Sequence, residues 1–309
     1  MKRREFVKKG LITGLFTGAF LNMGGLDKIV AGNTSSANAN KPIDLVAVKG
    51  GAPAAMFDKA IAAMGGMQKF VKKGQKVVIK PNIGWDVPPE NGGNTNPELV
   101  KRIVEQCFAA GAASVMVFDN TCDAWNRCYE NSGIEKSAKQ AGAKVIPGNT
   151  ENYYKEVDIP NGKRLTKAKV HEAILGADVF INVPVLKHHS SAKVTISLKN
   201  LMGAVWDRRF WHRNDLHQCI ADFATFCKPT LNVVDAYRVM TRNGPRGVSL
   251  ADVVEMQSLI LSTDMVAADA AAAKIFGVEP TDIPHIKIAH ELGVGNMNLG
   301  ELNIERIKM

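Results

Sequence analysis

Cysteine is scarce and unpatterned in this chain. Five occur in 309 residues, Cys107, Cys122, Cys128, Cys219 and Cys227. Their spacings match neither a zinc site nor an iron–sulfur run. The odd number excludes a fully paired disulfide framework. Cys122 and Cys128 flank a five-residue segment and could bridge; Cys107 and Cys227 continue apolar helical stripes and read as core thiols. No G-x-G-x-x-G, Walker loop, G-x-S-x-G or H-E-x-x-H occurs, which argues against nucleotide-dependent chemistry and the common hydrolase classes. No apolar run reaches the ~20 residues that a membrane-spanning helix needs. Disorder is excluded as well, since 46% of residues are hydrophobic and 22% charged, an ordinary globular balance. Charge is only mildly one-sided: Lys and Arg number 39 against 30 Asp and Glu, a formal +9. Without a motif that excess is too weak to argue for nucleic acid, and it suits small acidic ligands.

Part of the basic excess sits at the start. Lys2-Arg3-Arg4-Glu5-Phe6-Val7-Lys8-Lys9 precedes a glycine-diluted apolar stretch, Gly10 to Met23, and a small-residue region ending Ala37-Asn38-Ala39. This is the layout of a signal peptide over residues 1–39. The paired arginines followed by Glu-Phe-Val-Lys resemble the twin-arginine export motif. That resemblance implies passage of a folded protein through the twin-arginine machinery, a periplasmic or extracytoplasmic location, and no stable membrane anchor after processing. It also fits a cofactor inserted in the cytosol.

From Pro42 onward, short β-branched runs alternate with stretches of helical periodicity. Strands are expected at Ile43–Val48, Lys76–Ile79, Ala113–Phe118, Lys144–Ile146, Asp178–Val185, Leu231–Val234 and Met256–Leu261. Helices are expected at Ala54–Met64, Glu98–Ala110, Ile134–Ala141, Val170–Leu175, Asp215–Phe226 and Met265–Phe276. The alternation predicts a single α/β domain over residues 40–309, with a largely parallel sheet flanked by helices and room for a small additional subdomain. Five strands run into polar residues of catalytic type: Lys80-Pro81-Asn82, Asp119-Asn120, Lys187-His188-His189 (after Asn182), Asp235, and Ser262-Thr263-Asp264. In a parallel sheet those ends share one edge, where ligands bind.

The chemistry expected there follows from the side chains. Lys80, Lys187 and Arg246 suit a carboxylate or phosphate, and clustered lysines lower one another's basicity, as a base or imine former requires. Asp119, Asp235 and Asp264 could hold a divalent cation or pair with those lysines. His188 and His189 are neighbours on extended backbone, so at most one faces the site. Gly244-Pro245-Arg246-Gly247 is a tight turn presenting an arginine. The segment from Gly203 through Trp206-Asp207-Arg208-Arg209-Phe210-Trp211-His212 reads either as a lid or as a pinned surface loop.

Taken in order, these motifs resemble the family called domain of unknown function 362. The resemblance rests on Val77-Val78-Ile79-Lys80-Pro81-Asn82, on Ala177 through His189, and on Val194 through Gly203 with Lys199 and Asn200. It continues through His217, Asp222, Val233-Val234-Asp235, Gly244–Gly247 and Asp264–Asp269, over most of the span 43–295. It implies an α/β domain often found beside iron–sulfur ferredoxin modules and often exported. The family reads K-T-H where this chain has Lys187-His188-His189, so His189 is the matched histidine. The four-cysteine ferredoxin segment is missing.

Three readings remain open. In the first, an exported enzyme acts on a small anionic ligand. Lys80, Lys187 and Lys199 hold the anion or transfer protons, His189 and His217 carry protons, and Asn82, Asp119, Asn182, Asn200 and Arg246 bind the ligand. Asp235 and Asp269 orient the lysines or hold metal. In the second, the same crevice belongs to a non-catalytic ligand or metal carrier. In the third, the protein is an electron-transfer accessory with iron–sulfur, for which no cysteine motif is present.

Overall fold

The structure is a computed structural model that describes Asn38 and residues 41–309. The expected export signal, apart from Asn38, lies outside the described residues. The elements in chain order are β1 (Leu45–Lys49), α1 (Pro53–Ala63), β2 (Lys76–Pro81), α2 (Pro97–Ala109), β3 (Ser114–Val117), α3 (Trp125–Asn131), α4 (Ile134–Gln140) and β4 (Lys144–Val145). A two-stranded ribbon follows, β5 (Tyr154–Asp158) with β6 (Lys167–His171), and then α5 (Glu172–Leu175), β7 (Val179–Val183), β8 (Val185–His189) and β9 (Lys193–Thr195). The chain continues with α6 (Ser197–Asn200), α7 (Arg208–Arg213), α8 (Leu216–Phe226), β10 (Leu231–Met240), β11 (Val253–Ser262), α9 (Met265–Phe276), α10 (Pro284–Glu291) and β12 (Ile304–Lys308).

The main sheet runs β12-β1-β11-β10-β7-β2-β3-β4, with β8 and β9 extending from β10. Strands β10, β7, β2, β3 and β4 are mutually parallel. Alternating side chains feed two cores, one on each face. Val77 and Ile79 enter the core beneath α1 and α2, whereas Val78 enters the core beneath α8, α9 and α10. Burial on both faces is why these strands read as continuous apolar runs. Helix α2 shows the local logic. The Asn96 side chain accepts from the Glu98 N–H, Pro97 opens the first turn, and Leu99, Val100, Ile103, Val104 and Cys107 bury one stripe.

The architecture is thus the expected α/β fold with a largely parallel sheet, and several local readings are corrected. The expected strand Asp178–Val185 divides at Pro184, and Lys187-His188-His189 lies within β8, paired antiparallel to β9, not in a loop. The expected helix Val170–Leu175 begins as strand and turns helical only at Glu172. Strand β10 extends ten residues, so Asp235 lies inside it. Strand β11 runs antiparallel to both β10 and β1. Its carboxyl end therefore lies at the sheet edge opposite the one shared by β2, β3 and β7, and it takes Asp264 there. Asp264 instead caps α9, accepting from the Val266 and Ala267 N–H groups and from the Asn296 N–H.

A cap of this kind contributes about 1 to 2 kcal/mol. Asp264→Ala is expected to lower the unfolding free energy by that amount, read as a lower denaturant midpoint at an unchanged m-value, and to leave any ligand-induced shift of the melting temperature intact. An altered ligand shift would instead tie Asp264 to the site.

Candidate functional site

Three neighbouring parallel strands carry polar residues in register where apolar ones are usual. Lys80 of β2 stands beside Asn182 of β7, and Asn182 beside Asn232 of β10. The Asn182 Nδ2 donates to Asn232 Oδ1 at 3.1 Å and to the Ser197 carbonyl at 3.1 Å. Asn200, from α6, closes the row from above. Its Oδ1 accepts from Lys80 Nζ at 3.1 Å and from Asn82 Nδ2 at 2.9 Å, and its Nδ2 donates to Asn182 Oδ1 at 2.8 Å. Every polar atom of that amide is used, so Asn200 is a hub that ties α6 to β2, to the loop after it and to β7.

Lys80 is fully buried, and its ammonium group is surrounded by three oxygens. Nζ meets Asp119 Oδ1 at 2.8 Å, the Pro81 carbonyl at 2.9 Å and Asn200 Oδ1. Desolvation still holds its basicity below the ordinary lysine value, against the stabilising Asp119 charge. The other oxygen of Asp119 accepts from the Ile83 N–H at 2.7 Å, and its backbone is pinned at both ends by the buried Tyr129 hydroxyl of α3. Gly203 lies against this pair. A Cβ there would fall 1.9 Å from Asp119 Oδ1 and 2.6 Å from Lys80 Cε.

The other two lysines are placed differently. Lys187 Nζ donates to Asn82 Oδ1 at 3.1 Å and to the Gly93 carbonyl. Lys199 Nζ touches the Met202 thioether at 3.0 Å. Among the described residues neither has a carboxylate partner. Burial lowers Lys187 to about 7 and Lys199 to about 8. His189 stands two residues from Lys187 on the same side of β8, and its Nδ1 accepts from the Ser191 N–H at 3.2 Å. Burial, with Lys199 and Lys187 nearby, pushes this imidazole down to about 2. It is therefore neutral, with its proton on Nε2. His188 faces away and accepts from the Gly244 N–H.

These residues line one cleft of about 360 Å³. Its walls carry five cationic side chains, Lys80, Lys187, Lys199, Arg208 and Arg209, against one carboxylate, Asp119. Arg208 is held by its bonds to the Asn120 and Thr121 carbonyls, and His212 stacks on His189 with centroids 6.5 Å apart. The segment read as a lid or a surface loop is thus a wall of the cleft.

Of the residues singled out from sequence, Lys80, Asn82, Asp119, Lys187, His189, Lys199 and Asn200 meet at this cleft, and Asn182 supports them from beneath. Four do not line it. Arg246 is exposed, 3.7 Å from Asp123, and only its neighbour Pro245 reaches the wall. His217 pairs with the buried His285, Nδ1 to Nδ1 at 3.0 Å. Asp235 accepts from the Asn96 and Tyr237 N–H groups, and Asp269 from those of Ser197 and Leu198. These two carboxylates lie apart, each satisfied by backbone, and among the described residues no group of three or more His, Cys, Asp or Glu is arranged to hold a metal ion. All five cysteines are free, so Cys122 and Cys128 do not bridge: Cys128 is buried on α3 whereas Cys122 is exposed at the cleft. Cys122, Arg208, Arg209 and His212 were not among the residues expected to bind, although the crowding of charge and aromatics in 206–212 was visible.

No helix among the described residues is long and apolar enough to cross a membrane. The family model described as domain of unknown function (DUF362) matches residues 77–274. A thylakoid-associated protein from Synechocystis sp. is 28% identical over 239 residues, which cover 75% of this chain and 72% of that one. Among solved structures, the lactate racemase apoprotein from Thermoanaerobacterium thermosaccharolyticum aligns with a TM-score of 0.48 at 12% identity, over 75% of this chain and 57% of that one. A protein from Thermotoga maritima aligns with a TM-score of 0.47 at 9% identity, over 77% and 59%. This chain spans less than two thirds of either solved chain.

Gly203→Ala drives a methyl group into a buried ion pair, and overpacking of that kind costs about 3 kcal/mol or more. Denaturation should show that loss, while Gly300→Ala, where a Cβ meets nothing within 4 Å, stays within about 0.5 kcal/mol of the parent. Equal stability of the two variants would mean that Gly203 does not abut the pair.

Proposed function

The chain belongs to the domain of unknown function 362 family, and from that premise we propose that it is an enzyme acting on a small anionic substrate, a carboxylate or phosphate, in the lysine-lined cleft. One observation carries the reading. Lys187 and Lys199 are buried at the cleft with neutral partners only, while Asp119 is committed to Lys80. Burying an ammonium without a counter-ion costs free energy that an anionic ligand returns. At least one N–H donor of Lys187 and two of Lys199 remain for that ligand. Lys199, mostly protonated at neutral pH, holds the anion. Lys187 titrates near neutrality and serves as the general acid–base group. The neutral His189 offers its Nε2–H as a hydrogen-bond donor. A carrier would need the anion clamp but not a lysine brought to about 7, and that feature favours catalysis.

A melting screen with formate, acetate, oxalate and inorganic phosphate tests the clamp. A ligand at a hundred times its dissociation constant stabilises by about 2.7 kcal/mol, a shift that is easily read. Lys199→Met should abolish the shift; a full shift in that variant would refute the assignment.

The same lysines set a pH dependence. Unfolded lysine binds protons up to about 10.5, whereas folded Lys187 and Lys199 lose them near 7 and 8. Between these values the unfolded state holds more protons, so stability rises with pH. The buried thiols, raised to about 11 or 12, oppose this only above their ordinary value of 9. The ligand-free protein is therefore expected to melt at higher temperature at pH 9 than at pH 7, while the anion-induced shift shrinks over the same interval. Calorimetry at both pH values with and without phosphate checks both signs, and a shift that grows with pH would count against the lysine clamp.

A further inference from the structure

Cys122 has no role in the chemistry above, yet it stands on the wall of the same cleft. Its N–H donates to the Gly84 carbonyl at 2.8 Å, which fixes the backbone. A Cβ built on Gly84 would lie 3.3 Å from Asn82 Oδ1 and 4.0 Å from Cys122 Sγ, and that same Asn82 oxygen accepts from Lys187 Nζ. Gly84 thus stands beside both the thiol and the Asn82 oxygen that holds Lys187. As a thiolate, Cys122 is the first charge to favour the ammonium forms of both Lys187 and Lys199. Lys199, more than nine-tenths buried, faces this space with only a thioether contact. The other four cysteines are buried, and Cys122 alone of the five is exposed.

We infer that Cys122 is a nucleophile of the cleft, placed to attack an electrophilic carbon of an anion held by Lys199. The inference rests on the anion reading of the same site. With a carbonyl compound, neutral Lys187 takes the thiol proton, sulfur bonds to the carbonyl carbon, and the π pair moves to oxygen. That oxygen takes a proton from the Lys199 ammonium, leaving a thiohemiacetal with nothing oxidised or reduced. The substrate class this selects is a small carboxylate or phosphate ester bearing an aldehyde or ketone.

The full chain is tested with equal concentrations of iodoacetate and iodoacetamide for a short time, with glutathione as the reference thiol in the same tube. Sulfur displaces iodide from either reagent, and peptide mass mapping reads the two adducts at Cys122. The ratio of iodoacetate to iodoacetamide adduct at Cys122 is expected about tenfold above that of glutathione, since the desolvated Lys199 ammonium, with Arg208 and Arg209 on the same cleft, attracts the anionic reagent. Lys199→Met should bring the ratio toward the glutathione value and Lys199→Arg should retain it. If the Met variant does not fold, inorganic phosphate added to the parent should protect Cys122 from iodoacetate. A parent ratio no higher than glutathione's overturns the inference, as does a ratio indifferent to both Lys199→Met and phosphate. A phosphate-induced melting shift with no iodoacetate preference removes the nucleophile and keeps the anion site; loss of both removes both.

Discussion

Three lysine side chains buried at one edge of a β-sheet set the terms for everything around them. An ammonium group taken out of water needs oxygen acceptors, a counter-ion, or a lower basicity. Lys80 receives the first two, with Asp119, a carbonyl and Asn200 around it. Lys187 receives two neutral oxygens and Lys199 a thioether, so their basicity gives way. Asparagine is the residue that makes this crowding tolerable. An amide both donates and accepts without adding charge, and Asn82, Asn182 and Asn200 link the lysines without neutralising them.

Positioning of these groups comes from the opposite side of the core. Helix α9 is rich in alanine and buried along nearly its whole length, so it packs close beneath the site. Asp269, in its middle, accepts from the first N–H groups of α6. It thereby anchors the short helix that carries Lys199 and Asn200. Burial raises this carboxyl to about 7 while those backbone donors pull it down. Asp264 caps the same helix and accepts from Asn296. Asp269, which looks catalytic in sequence, thus acts one step removed, by fixing the backbone that presents Lys199, whereas Asp264 serves the start of α9.

Much of this was legible in the sequence. The polar ends of β2, β3 and β7 converge because parallel strands share an edge, and helical spacing placed the helices between them. What misled was direction. A strand's side-chain pattern reads the same in a parallel and an antiparallel pair, so β11 looked like another parallel strand. The connection offered the missing signal. Twelve residues separate Met240 from Val253, with Gly244, Pro245 and Gly247 among them, and they contain no helical period. Parallel neighbours need a crossover, usually helical, whereas such a turn joins antiparallel strands. Reading that turn as a ligand clamp put Arg246 at the site, and reading β11 as parallel put Asp264 there; the turn's reversal of direction explains why Asp264 is absent, while Arg246 points to Asp123 instead. Cys122 was hidden for another reason: its backbone is fixed at the cleft by the Gly84 carbonyl of a different loop, a contact no local pattern records.

The histidines complete the electrostatic argument. In isolation an imidazole titrates near 6.5 and a lysine near 10.5, which makes histidine the natural proton carrier. Here His189, His212, His217 and His285 are all lowered by burial, with Lys199 among the secondary causes for each. Burial disfavours the charged form of both residue types, but the lysines start four units higher. They arrive near neutrality, whereas the histidines start just below it and are carried further down. The usual order of use is thereby exchanged: imidazoles become fixed neutral hydrogen-bonding groups and a lysine amine becomes the group able to gain and lose a proton. His217 and His285, joined through Nδ1, need one ring protonated there and the other bare, an arrangement that a neutral pair supplies. A site assembled this way owes its acid–base range to exclusion of water, so any side chain that opened the Lys80–Asp119 wall would return the lysines to their ordinary basicity.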